Sequence, residues 1–421
     1  MPRRDMMRAW IIRAGIACLL VLSVGRSAGA QRLPSEPIVF GGGVLTVGGD
    51  LSATVGPADP GFFNYTDYEY SELRMLRLEL TVSLRAGSHL SLLGEIRSQN
   101  TFGFEPPSLH LHAPQVYALY FRIRPWTRRR FDVQVGRVPP TFGAFPRRSY
   151  EADNPLIGYP LAYQYLTSLR TDAVPGNADE LLLMRGRGWL SNYSVGNLAP
   201  APGVPLANAF RWDTGVQAHA ANDVVDLTGS ITTGTLSNPL FTDDNSGRQV
   251  TGRVALHPIA GLIVGASAAH GPFLSREAAR APVGREQEGA FAQTAWAGDV
   301  EYSRAYYVLR AETIFSQWTM PTLGSPAITE PLRAVATSIE GRYKIRPGLY
   351  VAARADHLGF GKIAGTRGAA TWDAPVTRVE AGGGYSIQRN LVLKVSAQHN
   401  TRDGGRTRRA SLVAGQLVFW F

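Results

Sequence analysis

"LRLELTVSLR", residues 76–85, alternates without a break. Leu76, Leu78, Leu80, Val82 and Leu84 fall on one face of an extended chain, and Arg77, Glu79, Thr81, Ser83 and Arg85 on the other. A period of two over ten residues marks a strand between an apolar and a wet environment. "LSLLGEIRSQ" at 90–99 follows the tight "AGSH" turn, so the two segments make a hairpin. The same unit recurs. "VYALYFRIRP" at 116–125 sets Arg122 and Arg124 against Phe121 and Ile123, and "NLVLKVSAQH" at 390–399 separates Leu391, Leu393, Val395 and Ala397 from Lys394, Ser396 and Gln398.

Working outward from these hairpins, the links alternate in length. Short ones such as "RAGSH", "HPIAG" and "KIRPG" are followed by long ones rich in Gly, Pro, Asp and Asn, among them 56–72, 138–178, 271–290 and 318–331. Counting strands between the links gives eighteen, from 38–55 to 406–421, with 179–187 and 188–197 read as one of the hairpins. An even count with alternating short and long links is the pattern of a transmembrane antiparallel β-barrel of 16–18 strands, short turns inside and long loops outside. The last residues, "SLVAGQLVFWF", then make sense as a final membrane strand. A closed barrel has no edge, and terminal aromatics suit the membrane interface. An end at Phe421 also resembles the signal read by the barrel-assembly machinery. A secreted β-sandwich shares the alternation, but it predicts a polar outer face where this chain repeats Leu, Val, Ala, Tyr and Phe.

The N-terminus agrees with export. Residues 1–30 have a basic start, an apolar core from about Ala14 to Val24 and a small-x-small end at Ala28-Gly29-Ala30. They read as a secretory signal peptide cut before Gln31, and the destination is the bacterial outer membrane. The core is about half the roughly 20 apolar residues that a membrane-spanning helix needs. A lipoprotein site at Cys18 is disfavoured, because little apolar sequence would precede the cut. Removing the segment takes away five arginines and one aspartate, which leaves +6 of the formal +10. It also takes the only cysteine, so the mature chain has no disulfide and no thiolate metal site.

Motifs for catalysis are missing: there is no G-x-S-x-G, no Walker loop and no H-E-x-x-H. The eight histidines are scattered, and His110 and His112 in "LHLHAP" read as loop residues rather than a metal pair. A lipase-like or protease-like barrel needs an arrangement that sequence spacing does not display. What the chain has is arginine, 40 of its 43 basic residues, with lysine only at 344, 362 and 394. Arg77, Arg85, Arg97, Arg122, Arg124, Arg137, Arg185, Arg187, Arg310, Arg342, Arg354 and Arg378 fall on the polar faces of the expected strands, joined by Glu79, Glu95, Glu312, Glu340, Asp356 and Glu380. A charge facing lipid costs about 2–4 kcal/mol at the midplane, so these side chains are expected to face inward. A cylinder this wide is not filled by side chains alone and predicts a wet channel with an arginine wall. The excess positive charge predicts a modest preference for anions.

The longest link, 138–178, is unusually apolar for a loop and carries Phe142, Phe145, Tyr150, Leu156, Ile157, Tyr159, Tyr163, Tyr165 and Leu166. Ordinary surface loops are shorter and polar. Folding back into the barrel gives it a wall to pack on, and places Arg147, Arg148 and Arg170 with Glu151, Asp153 and Asp172 near the narrowest point. An outward cap or a subunit contact is the alternative.

"YALYFRIRPWTRRRFDVQVGRVPPTFG" at 117–143 resembles a hairpin of the phosphate-selective porin O/P family, ending in its G-x-x-x-P-F-G-like corner. "ELLLMRGRGWLSNYSVGN" at 180–197 resembles that family's next hairpin, with its N-G pair reversed here as Gly196-Asn197. The resemblance covers about 117–197. It implies a sixteen-strand channel, often a homotrimer, with a basic lumen. Phosphate-selective members of that family use lysine-rich ladders, where this chain has arginine. The expectation is therefore a passive porin for small hydrophilic or anionic solutes, in contact with outer-membrane lipids. A structural or adhesive outer-membrane barrel whose pore is blocked by its own long loop is the runner-up. No cofactor, no metal and no nucleic-acid partner is implied.

Overall fold

Sixteen long strands carry the fold, and each is a stretch in which apolar and polar residues alternate. They are β1 Leu45–Val55, β2 Met75–Ala86, β3 Leu90–Phe104, β4 Gln115–Ile123, β5 Arg130–Val138, β6 Asp213–Ala221, β7 Val225–Thr232 and β8 Gln249–Ile259. The second half holds β9 Leu262–Pro272, β10 Ala292–Arg304, β11 Tyr307–Trp318, β12 Leu332–Arg346, β13 Leu349–Phe360, β14 Val376–Gln388, β15 Leu391–Arg402 and β16 Arg409–Trp420. The computed structural model describes residues 34–421 apart from 65–72, 74, 105–106, 112–113, 127–129, 246 and 284–290. The expected export signal, His112, Arg128 and Arg129 lie outside the described residues.

Neighbours in sequence pair antiparallel all the way round, and the two ends meet. Leu51 of β1 stands opposite Leu78 of β2 on one side and Phe419 of β16 on the other. Phe421 continues the closing ladder: its N–H donates to Gly49 O and the Gly49 N–H donates to Phe421 O, both at 3.0 Å. The result is a closed transmembrane antiparallel β-barrel without a free edge. Seven short turns, such as 260–261 and 347–348, alternate with eight longer links, such as 139–212 and 319–331. The start of β1 and the end of β16 both lie at the short-turn end.

Burial is inverted relative to a soluble protein. On β2 the outward Leu78, Leu80 and Val82 are 41%, 37% and 39% exposed, whereas the inward Arg77 and Glu79 are 1% and 0% exposed. The other strands alternate in the same sense, with outward exceptions such as Arg137 on β5 and Arg333 on β12, so the apolar surface lies outside and most of the described charges inside. That is the order that a hydrocarbon surround imposes.

Three expectations are corrected. The strand count is sixteen, because 179–187 and 188–197 are not strands. Asn177 Oδ1 accepts the Glu180 amide at 2.9 Å, and Asp179 and Glu180 occupy the first turn, so Ala178–Leu183 is a capped helix. Residues Val195–Gly196 then pair with Ala173–Val174 as a small separate ladder. Arg185 and Arg187 are consequently in turns and not on a strand face. The long link is 139–212 rather than 138–178. Finally, 38–55 is no single strand: the chain turns at Gly41, Gly42 and Gly43, with φ of 57°, 66° and 98°, and Ile38–Phe40 folds back on β1.

Candidate functional site

The link 139–212 meets the inward face of the barrel at many points, and its first residues explain how. Pro139 and Pro140 end the β5 ladder. Gln217 donates to Pro139 O at 3.1 Å, and Thr141 donates to Ser230 Oγ at 3.0 Å. Gly143 then turns the chain at φ 81°, with its N–H on Ser267 Oγ at 3.1 Å. A side chain could not replace it, since a Cβ there would lie 2.0 Å from Tyr163 Oη and 2.8 Å from Glu312 Oε1. The Ala144 N–H and the Tyr163 hydroxyl both donate to Glu312, at 2.7 and 2.9 Å.

Beyond this turn the segment satisfies a belt of wall charges. Arg148 reaches Glu340 at 2.8 Å, and Arg147 lies 3.4 Å from Asp226 with 48% of its side chain exposed. The Glu151 carboxylate accepts from Arg77 at 3.1 Å, from Gln416 at 2.8 Å and from the Tyr159 hydroxyl. Tyr150 donates to Glu95 at 2.7 Å, and the Gly158 N–H donates to Glu380 at 2.9 Å. Lys394 and Arg378 donate to backbone carbonyls of the segment, at Asn154 and Tyr159. The remaining belt residues pair along the wall: Arg97 with Glu79 (2.6 Å), Arg253 with Asp299 (2.6 Å), Arg354 with Glu380 (2.8 Å) and Arg310 with Glu301 (2.6 Å). A buried charge stripped of its partner costs about 3–5 kcal/mol, so segment and wall hold each other in register.

Towards the long-loop end the contact turns apolar. Phe142, Phe145, Tyr159, Leu161, Tyr163 and Phe210 pack in one core with the wall residues Ile314, Trp318, Leu332, Leu358 and Phe360. The Tyr159 and Phe210 rings are 4.6 Å apart, and Trp372 lies 5.7 Å from Trp318. Next to Trp372, the Asp373 carboxylate accepts the N–H groups of Ser168, Gly186 and Ala374, each at 2.7 Å. Burial pushes this carboxyl above its ordinary value against the pull of those donors. Arg170 holds the outermost fold of the segment through Asp172, at 2.9 and 2.8 Å, and through Ser191 O and Ala199 O. Burial alone would raise Asp172, but the Arg170 and Asn197 hydrogen bonds carry it below the ordinary carboxylate value.

Below the belt, towards the short turns, lies a cavity of about 200 Å³. Arg147, Arg148, Arg253, His257, Asp299, Glu301, Arg310, Glu312 and Glu340 line it. A second, smaller cavity of about 30 Å³ lies on the other side of Gly143, among Thr141, Asp213, Ser230, Gln249 and Thr251.

The candidates picked from sequence therefore separate into groups. Arg147, Arg148 and Arg310 share one cavity, and Arg77 meets Glu151. Arg122 pairs with Asp132 at 2.7 Å. Asp153 is exposed, its N–H on Tyr150 O. Arg342 faces inward near the short turns, 5.9 Å from the Tyr350 ring, and Arg124 is exposed just past β4. Neither has a carboxylate partner among the described residues. Arg170 and Arg185 sit at the long-loop end, Arg185 on Thr371 at 2.8 Å. Arg137 is a correction: it shares the outward face with Val135, and its guanidinium bonds Trp212 O at 2.8 Å and Val116 O. Carbonyls at the rim compensate the charge there. Arg253, Asp299 and Asp373 are missing from the sequence-picked set. The alternation in "QVTGRVALH" already puts Arg253 on the polar face, but nothing local to Asp373 signals its clamp.

No protein-family model and no curated protein matches the chain. Solved structures do. OmpT of Vibrio cholerae, an outer membrane protein, in a form lacking loop L8, superposes with a TM-score of 0.51 at 13% identity, over 90% of this chain and 99% of that one. An anion-selective porin from Comamonas acidovorans superposes with a TM-score of 0.50 at 10% identity, again over 90% and 99%. The chain has the fold of the outer-membrane porins.

Proposed function

We propose that the protein is an outer-membrane porin through which small hydrophilic solutes diffuse passively, with a modest preference for anions. One arrangement carries this reading: an exposed apolar exterior around a charged interior that keeps a cavity of about 200 Å³ beneath the inserted segment. On this reading residues 1–30 direct export, the short turns face the periplasm, outer-membrane lipids cover the exterior, and 139–212 sets the size limit. Assembly through the strand ending at Phe421 and association as a homotrimer belong to the same proposal, as does kinship with the phosphate-selective O/P porins.

The charge filter differs from a simple arginine ladder. Arg77, Arg97, Arg253 and Arg354 are paired with carboxylates, so their fields largely cancel. Anion preference then falls to Arg342 and Arg124, which lack such partners, and to the half-exposed Arg147. Unneutralised charge in a low-dielectric wall concentrates counter-ions. In planar bilayers the protein is expected to give discrete open steps with a reversal potential biased towards the anion. Replacing Arg342 and Arg124 by glutamine together should lower the anion-to-cation permeability ratio roughly twofold. An unchanged ratio in an open channel would remove the role given to these two residues.

The apolar core at the long-loop end favours a second reading, a structural barrel closed by its own segment. Silence of the wild-type protein at all voltages would select it.

A further inference from the structure

Two rows of outward side chains near the long loops repeat the same order. Residues standing directly opposite one another give His270 on β9, Thr294 on β10, Gln317 on β11 and Arg333 on β12. Four strands further round, the same pairing gives His357 on β13, Thr377 on β14, Thr401 on β15 and Arg409 on β16. All eight lie on the outward face, partly or fully exposed, and within three residues of the long-loop end of their strand. On the other strands that level of the exterior is largely apolar, as at Val55, Leu76, Val116, Ile231 and Val250. Hydrocarbon offers a polar row no partners, so the rows mark the depth at which lipid headgroups begin.

The ends of each row are prepared for a ligand. His270 Nδ1 shares a hydrogen bond with Thr294 Oγ1 at 2.8 Å, and His357 Nδ1 with Thr377 Oγ1 at 2.9 Å. These bonds fix each ring and leave its Nε2 for an outside group. The His357 ring leans towards the loops, for its Nε2 is 3.4 Å from where a Cβ on Gly359 would lie, and glycine has none. Arg137, the outward arginine of β5, gives its guanidinium to two carbonyls. Arg333 and Arg409 have no hydrogen-bond or carboxylate partner for theirs among the described residues. Three inter-strand gaps separate histidine from arginine, so a row is about 14 Å long, with neutral hydrogen-bonding side chains in its middle. That is too long for a single phosphate.

We propose that each row seats the headgroup of an anionic glycolipid of the outer leaflet: a saccharide with a phosphate at each end, its acyl chains lying down the apolar strands below. The planar guanidinium of Arg333 or Arg409 takes one phosphate bidentately. With the threonine hydroxyl donating to Nδ1, the histidine Nε2–H donates to the other phosphate, and the side chains between them meet sugar hydroxyls. This rests on the outer-membrane placement proposed above, with the long loops facing out, and not on an open channel.

The probe is diphosphoryl lipid A, a diglucosamine lipid with a phosphate on each sugar, added to the full barrel in detergent and counted by native mass spectrometry. The wild type is expected to retain two molecules per chain, Arg333→Gln or Arg409→Gln one, and the double variant none. Arg346→Gln, at the short-turn end of β12, should still retain two. The monophosphoryl form should bind roughly tenfold more weakly, and inorganic phosphate should displace neither lipid. A gel shift between heated and unheated samples shows that each variant is still a barrel. Equal retention by the double variant and the wild type overturns the proposal, as does displacement by inorganic phosphate. A changed oligomer with unchanged lipid overturns it in favour of a subunit contact. The placement is tested separately, by an epitope inserted within 319–331 that should be labelled on intact cells. Labelling without lipid binding overturns the rows alone, whereas binding without labelling overturns the placement on which they depend.

Discussion

Gly143 is the residue on which the inserted segment turns. Its φ of 81° is open to glycine, and the space its Cβ would need belongs to Tyr163 and Glu312. Replacing it with alanine adds backbone strain of about 1–3 kcal/mol before any clash is relieved. Tyr163 would also have to leave Glu312, which opens a buried carboxylate to nothing better than water. The Gly143→Ala variant is therefore expected to keep its sixteen strands but to hold 139–212 loosely. Limited proteolysis in detergent would detect this as faster cleavage within that segment and none within the strands. Equal cleavage rates would mean that the turn is not what seats the segment. At this scale the sequence was informative about residue type and less so about partners. The alternation in "RFDVQVGRV" puts Arg137 with Val133 and Val135, yet a rule that arginine faces inward sends it to the lumen. Two carbonyls at the rim, Val116 O and Trp212 O, make the outward position tolerable, and they come from distant parts of the chain.

Among the elements, the helix Ala178–Leu183 joins the inserted segment to the hairpin Lys362–Gly365/Gly368–Thr371. Asp179 accepts the Thr366 N–H at 2.8 Å and the Thr366 hydroxyl. Those hydrogen bonds lower the Asp179 carboxyl below its ordinary value. A depressed folded value means that the contact is fully present above the unfolded value of about 3.9 and is lost as pH falls through the folded one. Carbon NMR of aspartate-labelled protein should place the Asp179 midpoint below that of a free aspartate, and Thr366→Val should bring it back. A normal midpoint in the wild type would dissolve this latch. The strands were legible because period-two alternation is written residue by residue. The helix was not, because "ADELLL" follows an asparagine cap within a stretch whose leucines also suit a strand. The inward fold of 139–212 was legible in its aromatic content. Its docking partners, such as Glu380 and Lys394, lie more than two hundred residues away and carry no local mark.

For the whole molecule, closure and the assembly proposed to run through the last strand would be separable demands on the same terminal residues. The β1–β16 seam runs from Asp50↔Trp420 to Val55↔Gly415, and Phe421 adds its two backbone bonds to Gly49. Deleting 417–421 removes four of the six paired positions and both of those bonds, so β1 would face lipid with unpaired amides. Each unsatisfied group in hydrocarbon costs several kcal/mol, and the cylinder should not close. Phe421→Ala is a different change, for it keeps every backbone bond and removes only a ring that lies against Gly49. Refolded in detergent, Phe421→Ala is expected to show the gel shift between heated and unheated samples that marks a closed barrel, whereas the truncated chain shows none. In cells the two should converge, if the terminal aromatic is what the assembly machinery reads: both would fail to reach the membrane. Normal surface levels of Phe421→Ala would confine the terminal ring to packing, and a refolded truncation that still shifts would mean that the seam does not depend on its last five residues.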